Sequence, residues 1–364
     1  MITSLEINNF KCFSSLRLPF GKLTLLTGFN GGGKSTATQP LLLLAQTSRR
    51  SLAAGFPALN GELVRLGTVA DVVPVHSSST SVAFTIRTDD AQDEWLFEVR
   101  AGERFLRPVH RIESLGAPED PLNSNLADLV YLSAVREGTA DTFPIPDADG
   151  EGFFNIGVDG RYAAYWYNRI VDEPVPENRL HPEEAGNSVR KQLDAWLSTL
   201  FPGAQANVQA LPNVALLSLQ FRLSAIGDWR RPANVGYGLT YVFPILVTLL
   251  AARPGQTVII DSPEAHLHPS AQSDMGKLLA HFAGAGIQII VETHSDHLLN
   301  GARLAVRDSI INSEELMIHF FTRADEDGHG VISPAIDSEG RISEWPEGFF
   351  DQTEKDLARL AGWE

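Results

Sequence analysis

Residues Gly28-Phe29-Asn30-Gly31-Gly32-Gly33-Lys34-Ser35 fit the spacing G-x-x-x-x-G-K-S/T. They follow strand-like alternation through Leu23, Leu25 and Leu26 and precede a stretch from Thr36 to Gln46 that reads as a helix. Chemistry demands these residue types. Glycines let backbone N–H groups close around phosphate oxygens, and the following helix N-terminus adds positive potential. Lys34 would reach the β- and γ-phosphates and Ser35 would ligate Mg²⁺. The whole turn, Asn30, Gly31, Gly32, Gly33, Lys34, Ser35 and Thr36, is therefore the candidate phosphate cradle. Pro40 falls inside the helix that follows, which predicts a kink.

Along the chain, Gly61 to Phe105 holds short β-like runs, and Ala117 to Gly160 reads as long loops around one strand, Leu129–Leu132. A helix is predicted over Glu183–Phe201, and two strands near Ala206–Ala210 and Leu216–Leu223. The last third is clearer. Thr257–Asp261 and Ile287–Val291 are buried parallel strands joined by a helix from Pro269 to Phe282, with proline in its first turn. Strand, helix, strand makes a βαβ unit, so the fold class is α/β.

A phosphate-binding loop of this kind needs an acidic residue at the end of a second strand to hold Mg²⁺, and Asp261 occupies that place. Hydrolysis needs a polariser for the attacking water, and Glu264 is the nearest carboxylate. His294 closes the next strand and would reach the γ-phosphate. Asn234-Val235-Gly236-Tyr237-Gly238-Leu239-Thr240 opens an apolar helix reaching Ala252, a turn that either receives an anion or merely packs under the core. His266-Leu267-His268 and His294-Ser295-Asp296-His297 lack the spacing and third ligand of a zinc site.

Charge bounds the partners. Among 364 residues, 29 Lys+Arg oppose 45 Asp+Glu, a net charge of −16 that argues against a broad cationic face for nucleic acid. Arg49-Arg50 and Arg230-Arg231 leave room for local contact with DNA, although short Arg pairs are usually solvated. Cys12, the single cysteine, excludes an intramolecular disulfide. The most apolar stretch, Tyr241–Ala252, is 12 residues, shorter than a membrane span, and the start lacks a signal peptide, so cytoplasmic residence is expected.

Taken in order, Asn9-Phe10-Lys11, the loop at 28–35, Gly236-Tyr237-Gly238, Asp261-Ser262-Pro263-Glu264-Ala265-His266-Leu267-His268-Pro269 and Val291-Glu292-Thr293-His294-Ser295 resemble the motifs of ABC-type ATPase heads. The closer resemblance is to compact prokaryotic AAA-type ATPases related to SMC, double-strand-break-repair and overcoming-lysogenisation-defect proteins, many of them defence ATPases. The tail from Gly340 to Asp351 also looks like the C-terminal segment of one branch of that group.

The resemblance implies an ABC-type P-loop head with mixed sheets, flanking helices and two lobes, and without coiled coil. As a single head, the chain would divide into P-loop and N-terminal strands (1–60), a β-rich and helical insert (61–230), a signature, Walker B and switch-histidine core (231–310) and the tail (311–364). It implies a homodimer or higher homo-oligomer closed by ATP. Gly236, Gly238 and Thr240 of one copy would cap the γ-phosphate held on the other's P-loop. It makes Asp261 the Walker B residue and His294 the switch histidine. ATP and Mg²⁺ would be bound and a separate effector controlled, in anti-phage defence or DNA metabolism.

Two departures sharpen this. Strong hydrolysers carry the catalytic Glu directly after the Walker B Asp, where this chain has Ser262; slow hydrolysis through Glu264, or an ATP-bound scaffold with little turnover, is expected instead. Only 70 residues follow His294, without a nuclease-like carboxylate cluster, so a nuclease would be a separate protein. DNA contact would be local or delegated to a more basic partner. A transporter motor and a GTPase fit less well, the first for its altered signature and the second for want of an N-K-x-D motif.

Overall fold

The computed structural model describes residues 1–49, 57–74, 79–100, 102–112, 126–146, 154–323 and 329–362. Strands β1 (Ile2–Phe10), β2 (Phe13–Pro19) and β3 (Leu23–Gly28) lead into helix α1 (Lys34–Ser48). Five strands follow: β4 (Ser81–Thr88), β5 (Gln92–Glu98), β6 (Arg107–Ile112), β7 (Val130–Leu132) and β8 (Thr142–Pro144). Then come helices α2 (Ala163–Ile170) and α3 (Val189–Leu200), strands β9 (Gln205–Ala210) and β10 (Leu216–Arg222), and helix α4 (Tyr237–Ala251). The closing run is β11 (Thr257–Asp261), α5 (Pro269–Gly284), β12 (Gln288–Glu292), α6 (Asp296–Arg307), β13 (Leu316–Phe321), β14 (Val331–Ile332) and α7 (Gln352–Leu360).

Three sheets result. The central one has the order β14-β13-β3-β12-β11-β7, with β14 alone antiparallel to its neighbour. An antiparallel sheet, β2-β1-β4-β5-β6, covers one side, and a three-stranded sheet, β8-β10-β9, stands apart from it. The central strands are apolar at nearly every position because both faces are covered. Leu26, Ile259 and Ile290 pack towards Leu41–Leu44 of α1 and the antiparallel sheet. Leu25, Val258, Ile260, Ile289 and Val291 pack towards α4, α5 and α6. Buried Gln288, at the start of β12, joins the two sheets: its amide accepts from Ile2 N–H at 3.0 Å and donates to Ile2 O at 2.6 Å.

This is the mixed α/β architecture expected, and the longest described helix is the 16-residue α5, so no long coiled coil leaves the described part. Helix α1 includes Pro40, as the sequence predicts. Other details differ. The helix predicted from Glu183 begins only at Val189, where Ser188 accepts from Lys191 N–H and supplies the N-cap that Glu183 cannot. Helix α4 carries Pro244 at its centre, unanticipated from sequence; Thr248 Oγ1 donates to the Pro244 carbonyl at 2.7 Å. The four segments drawn from the sequence interleave in space, since β4, β5 and β6 join β1 while β7 joins β11. Arg50 and two parts of the predicted loop region, 117–125 and 147–153, lie outside the described residues.

Candidate functional site

Strands β3, β12 and β11 are adjacent and parallel, so their C-terminal ends place Gly28, Glu292 and Asp261 along one edge. Asp261 and Glu292 are cross-strand partners in register. The loop leaving β3 then turns back into α1. Gly28 and Gly33 take φ of +120° and +105°, open to glycine alone. A Cβ on Gly28 would lie 2.2 Å from Phe321 O, and one on Gly33 would lie 2.4 Å from the Phe13 ring.

Lys34 opens α1 and is buried. Its Nζ donates to the carbonyls of Gly28 at 3.1 Å and Phe29 at 2.9 Å, which holds the ammonium under the loop. Burial lowers its pKa, and the nearby Glu292 and Asp261 carboxylates oppose that shift. Asn30, Gly31 and Ser35 are exposed, Gly33 and Thr36 half-buried, and Gly32 buried. The Phe29 ring stands 5.6 Å from Phe320, lies under Arg323 at 4.5 Å, and would meet any Cβ on Gly348 at 2.3 Å. The C-terminal segment thus packs directly on the loop.

Ser35 Oγ donates to Glu292 Oε1 at 3.0 Å. Ser35, Asp261 and Glu292, with Tyr131 and Gln39, line one cavity of about 60 Å³. Gln39 Oε1 is buried without a partner among the described residues. Clustered hard oxygens of this kind suit Mg²⁺, which the P-loop hydroxyl and the strand-end carboxylate would hold together with substrate phosphates. No group of three or more His, Cys, Asp or Glu fit for a metal occurs among the described residues. Burial, then Asp261, pushes Glu292 up to about 7.

Beyond β11, Ser262 adopts φ of +49°, a left-handed conformation uncommon for a residue with a Cβ. Its Oγ donates to Asp261 Oδ1 at 2.9 Å. The guanidinium of Arg136, only 4 % exposed, donates to the carbonyls of Asp261 and Ser262 and so ties down this turn. Desolvation lowers Arg136 to about 10. Glu264 is 9 % exposed; Oε1 accepts the His294 backbone N–H at 2.9 Å, while Oε2 is buried and unpaired among the described residues. Burial raises its pKa. The His294 side chain is exposed at the end of β12, and partial burial followed by Lys34 lowers its pKa.

Gly236 is the N-cap of α4, whose first N–H groups have no acceptor within the helix. Gly238 is fixed by packing, since its Cβ would lie 2.9 Å from both His266 O and the Phe201 ring. Thr240 is buried and donates to Tyr237 O at 2.8 Å, so its hydroxyl is committed inside its own turn. The histidines of the 266–268 cluster are engaged elsewhere: His266 packs on Tyr237 and Tyr241, and His268 pairs with Ser270. Arg231 sits 3.5 Å from Asp141. Sequence reasoning assigned no role to Glu292 or Arg136. A charged residue ending an apolar parallel strand was a signal for Glu292; nothing local marks Arg136.

Comparison with known proteins bears on the fold and on segments of the sequence. Residues 1–94 match an AAA ATPase domain family, and residues 169–300 match an AAA domain family described with AbiEii toxin and Type IV toxin–antitoxin systems. Residues 311–360 match a protein family of unknown function, DUF3696. No curated protein matches. Among solved structures, the Smc head domain with coiled coil and joint from Pyrococcus yayanosii is 12% identical with TM-score 0.55, covering 98% of this chain and 99% of that one. An SmcHead bound to the C-winged helix domain of ScpA is 14% identical, TM-score 0.52, covering 92% and 98%. The Pyrococcus furiosus Smc head with an extended coiled coil, bound to the C-terminal domain of ScpA, is 13% identical, TM-score 0.51, covering 99% of each. The chain therefore has the ABC-type head fold of SMC proteins and carries AAA-type ATPase domain sequences at 1–94 and 169–300.

Proposed function

We propose that the protein binds ATP with Mg²⁺ on the loop at 28–35, hydrolyses it slowly, and uses the bound state to close a head-to-tail dimer that controls a separate effector. The observation carrying this is the row Gly28, Glu292, Asp261 on adjacent strands, with Lys34 held beneath the loop and Ser35 beside the carboxylates. Asn30 to Thr36 would wrap the phosphates; Ser35 and Asp261 would hold Mg²⁺, which shields phosphate charge when bound. Glu264 Oε2 would take the proton of the attacking water as its oxygen adds to the γ-phosphorus and ADP leaves. His294 would orient the γ-phosphate. Turnover is slow because Ser262 has no carboxylate to offer.

In the dimer the turn beginning at Gly236 in a second copy would face the γ-phosphate. Gly236 leaves open space where a side chain would stand, as such an approach needs. The solved SMC heads seated on ScpA domains support a proteinaceous effector, and the toxin–antitoxin association of the matched AAA family supports a defence role over general DNA metabolism. A nuclease is one candidate effector; DNA contact would then pass through it. The assembly would act in the cytoplasm, and no described helix is long and apolar enough to cross a membrane.

The test is light-scattering mass and nucleotide content, with and without Mg-ATP, for wild type, Glu264→Gln and Lys34→Ala. ATP-dependent dimers in the first two and none in the third are expected. A wild type that binds ATP yet stays monomeric would overturn the clamp, and one that binds no ATP would overturn the whole reading. ATP-dependent dimers with no measurable hydrolysis would favour the scaffold alternative.

A further inference from the structure

The fold gathers three carboxylates, Asp261, Glu264 and Glu292, that repel one another, and two of them, Asp261 and Glu292, lie near Lys34. Glu264 is explained by its bond to the His294 N–H. Glu292 has no such backbone partner among the described residues. Its hydrogen bond is to a single hydroxyl, Ser35 Oγ at 3.0 Å, and it lines the same small cavity as Asp261. Placing it on β12, between the loop strand and the Asp261 strand, sets it opposite the one P-loop side chain that would ligate Mg²⁺.

A hydroxyl bound to a dication becomes a stronger donor and needs an acceptor to keep its lone pair turned to the metal. Outer carboxylates that orient metal ligands in this way typically change metal affinity about 10–100-fold. We propose that Glu292 is that acceptor: a positioning residue that aims Ser35 at Mg²⁺ and lends the site a second negative charge beside Asp261. The inference rests on the ATP-binding reading above. It has a signature that a purely structural role lacks. Without metal, Glu292 faces the triphosphate as a repelling charge; with metal, it becomes part of what holds the complex.

The experiment is calorimetric titration of ATP into wild type, Glu292→Gln, Glu292→Asp and Lys34→Ala, in excess Mg²⁺ and in EDTA. Glu292→Gln should bind ATP as tightly as wild type or tighter in EDTA, and about 10–100-fold more weakly in Mg²⁺. Glu292→Asp should recover part of the Mg²⁺-dependent gain. Equal weakening in both buffers, or an unchanged Mg²⁺ gain, would overturn the assignment while leaving ATP binding intact. Wild-type ATP binding that survives Lys34→Ala, or is absent altogether, would instead remove the reading beneath it.

Discussion

Replacing Glu264 with glutamine separates catalysis from architecture at a single oxygen. The carboxylate has two jobs on two atoms: Oε1 accepts the His294 N–H at 2.9 Å, and Oε2 is unpaired among the described residues. Glutamine keeps the first through its carbonyl oxygen and removes the second as a base. General-base catalysis contributes typically 10²–10⁴ in rate, and because Ser262 already weakens this site we take the lower part of that range. Turnover should fall about 10²–10³-fold, a loss of about 3–4 kcal/mol of transition-state stabilisation, with ATP affinity unchanged. Stability moves the other way. Burial raises the Glu264 pKa above its usual 4.5, so this group favours the fold below that value and costs stability as pH rises through the raised one. At pH 8 Glu264→Gln should therefore melt no lower than wild type. Glu264→Ala should lose about 1–3 kcal/mol, because it strands the His294 N–H. Single-turnover hydrolysis, calorimetric ATP affinity and thermal unfolding read the three effects. An unchanged hydrolysis rate in Glu264→Gln alongside an inactive Lys34→Ala would refute Glu264 as the base.

Three further outcomes follow from the packing. Arg136→Met should lower stability by about 1–3 kcal/mol and reduce kcat more than ATP affinity, since it frees the carbonyls of Asp261 and Ser262; urea unfolding and steady-state kinetics check both. His319, fully buried between Ser333 and the Pro19 carbonyl, has a pKa lowered by burial, so its contribution is present above pH 6.5 and lost as pH falls through the depressed value. Urea midpoints should drop from pH 7.5 to pH 5 less steeply in His319→Gln than in wild type. Gly301→Ala should destabilise by about 1–3 kcal/mol in the same assay, because its Cβ would stand 1.9 Å from Ser273 O where α5 and α6 cross.

Much of this was legible in the residues because local rules act there. A loop needing positive φ shows its glycines, and a parallel strand covered on both faces shows an unbroken apolar run, so β3, β11 and β12 and their strand-end Asp261 could be read directly. Helix α1 was visible too, with Pro40 inside it. What escaped depends on partners distant in sequence. Arg136 reaches the Asp261 turn across 125 residues, and no periodicity encodes that meeting. Glu292 was in plain view, yet its relation to Ser35 exists only once β12 is inserted between β3 and β11. The likeness to SMC heads told of a fold; it did not tell which carboxylate lies against which hydroxyl.

Strand β12 is anchored at both ends by different parts of the molecule. At its start, Gln288 clasps the backbone of Ile2 and reaches Gly21 O at 3.2 Å; at its finish, Glu292 holds Ser35. Four residue steps of extended chain, about 13 Å, separate the two grips. Flanked by β3 and β11, it has hydrogen-bonded neighbours on both edges and cannot stretch. It works as a tie-rod. A tilt of the antiparallel sheet would therefore pull on the serine at the phosphate loop, and tightening around that serine would pull back on the N-terminal strand.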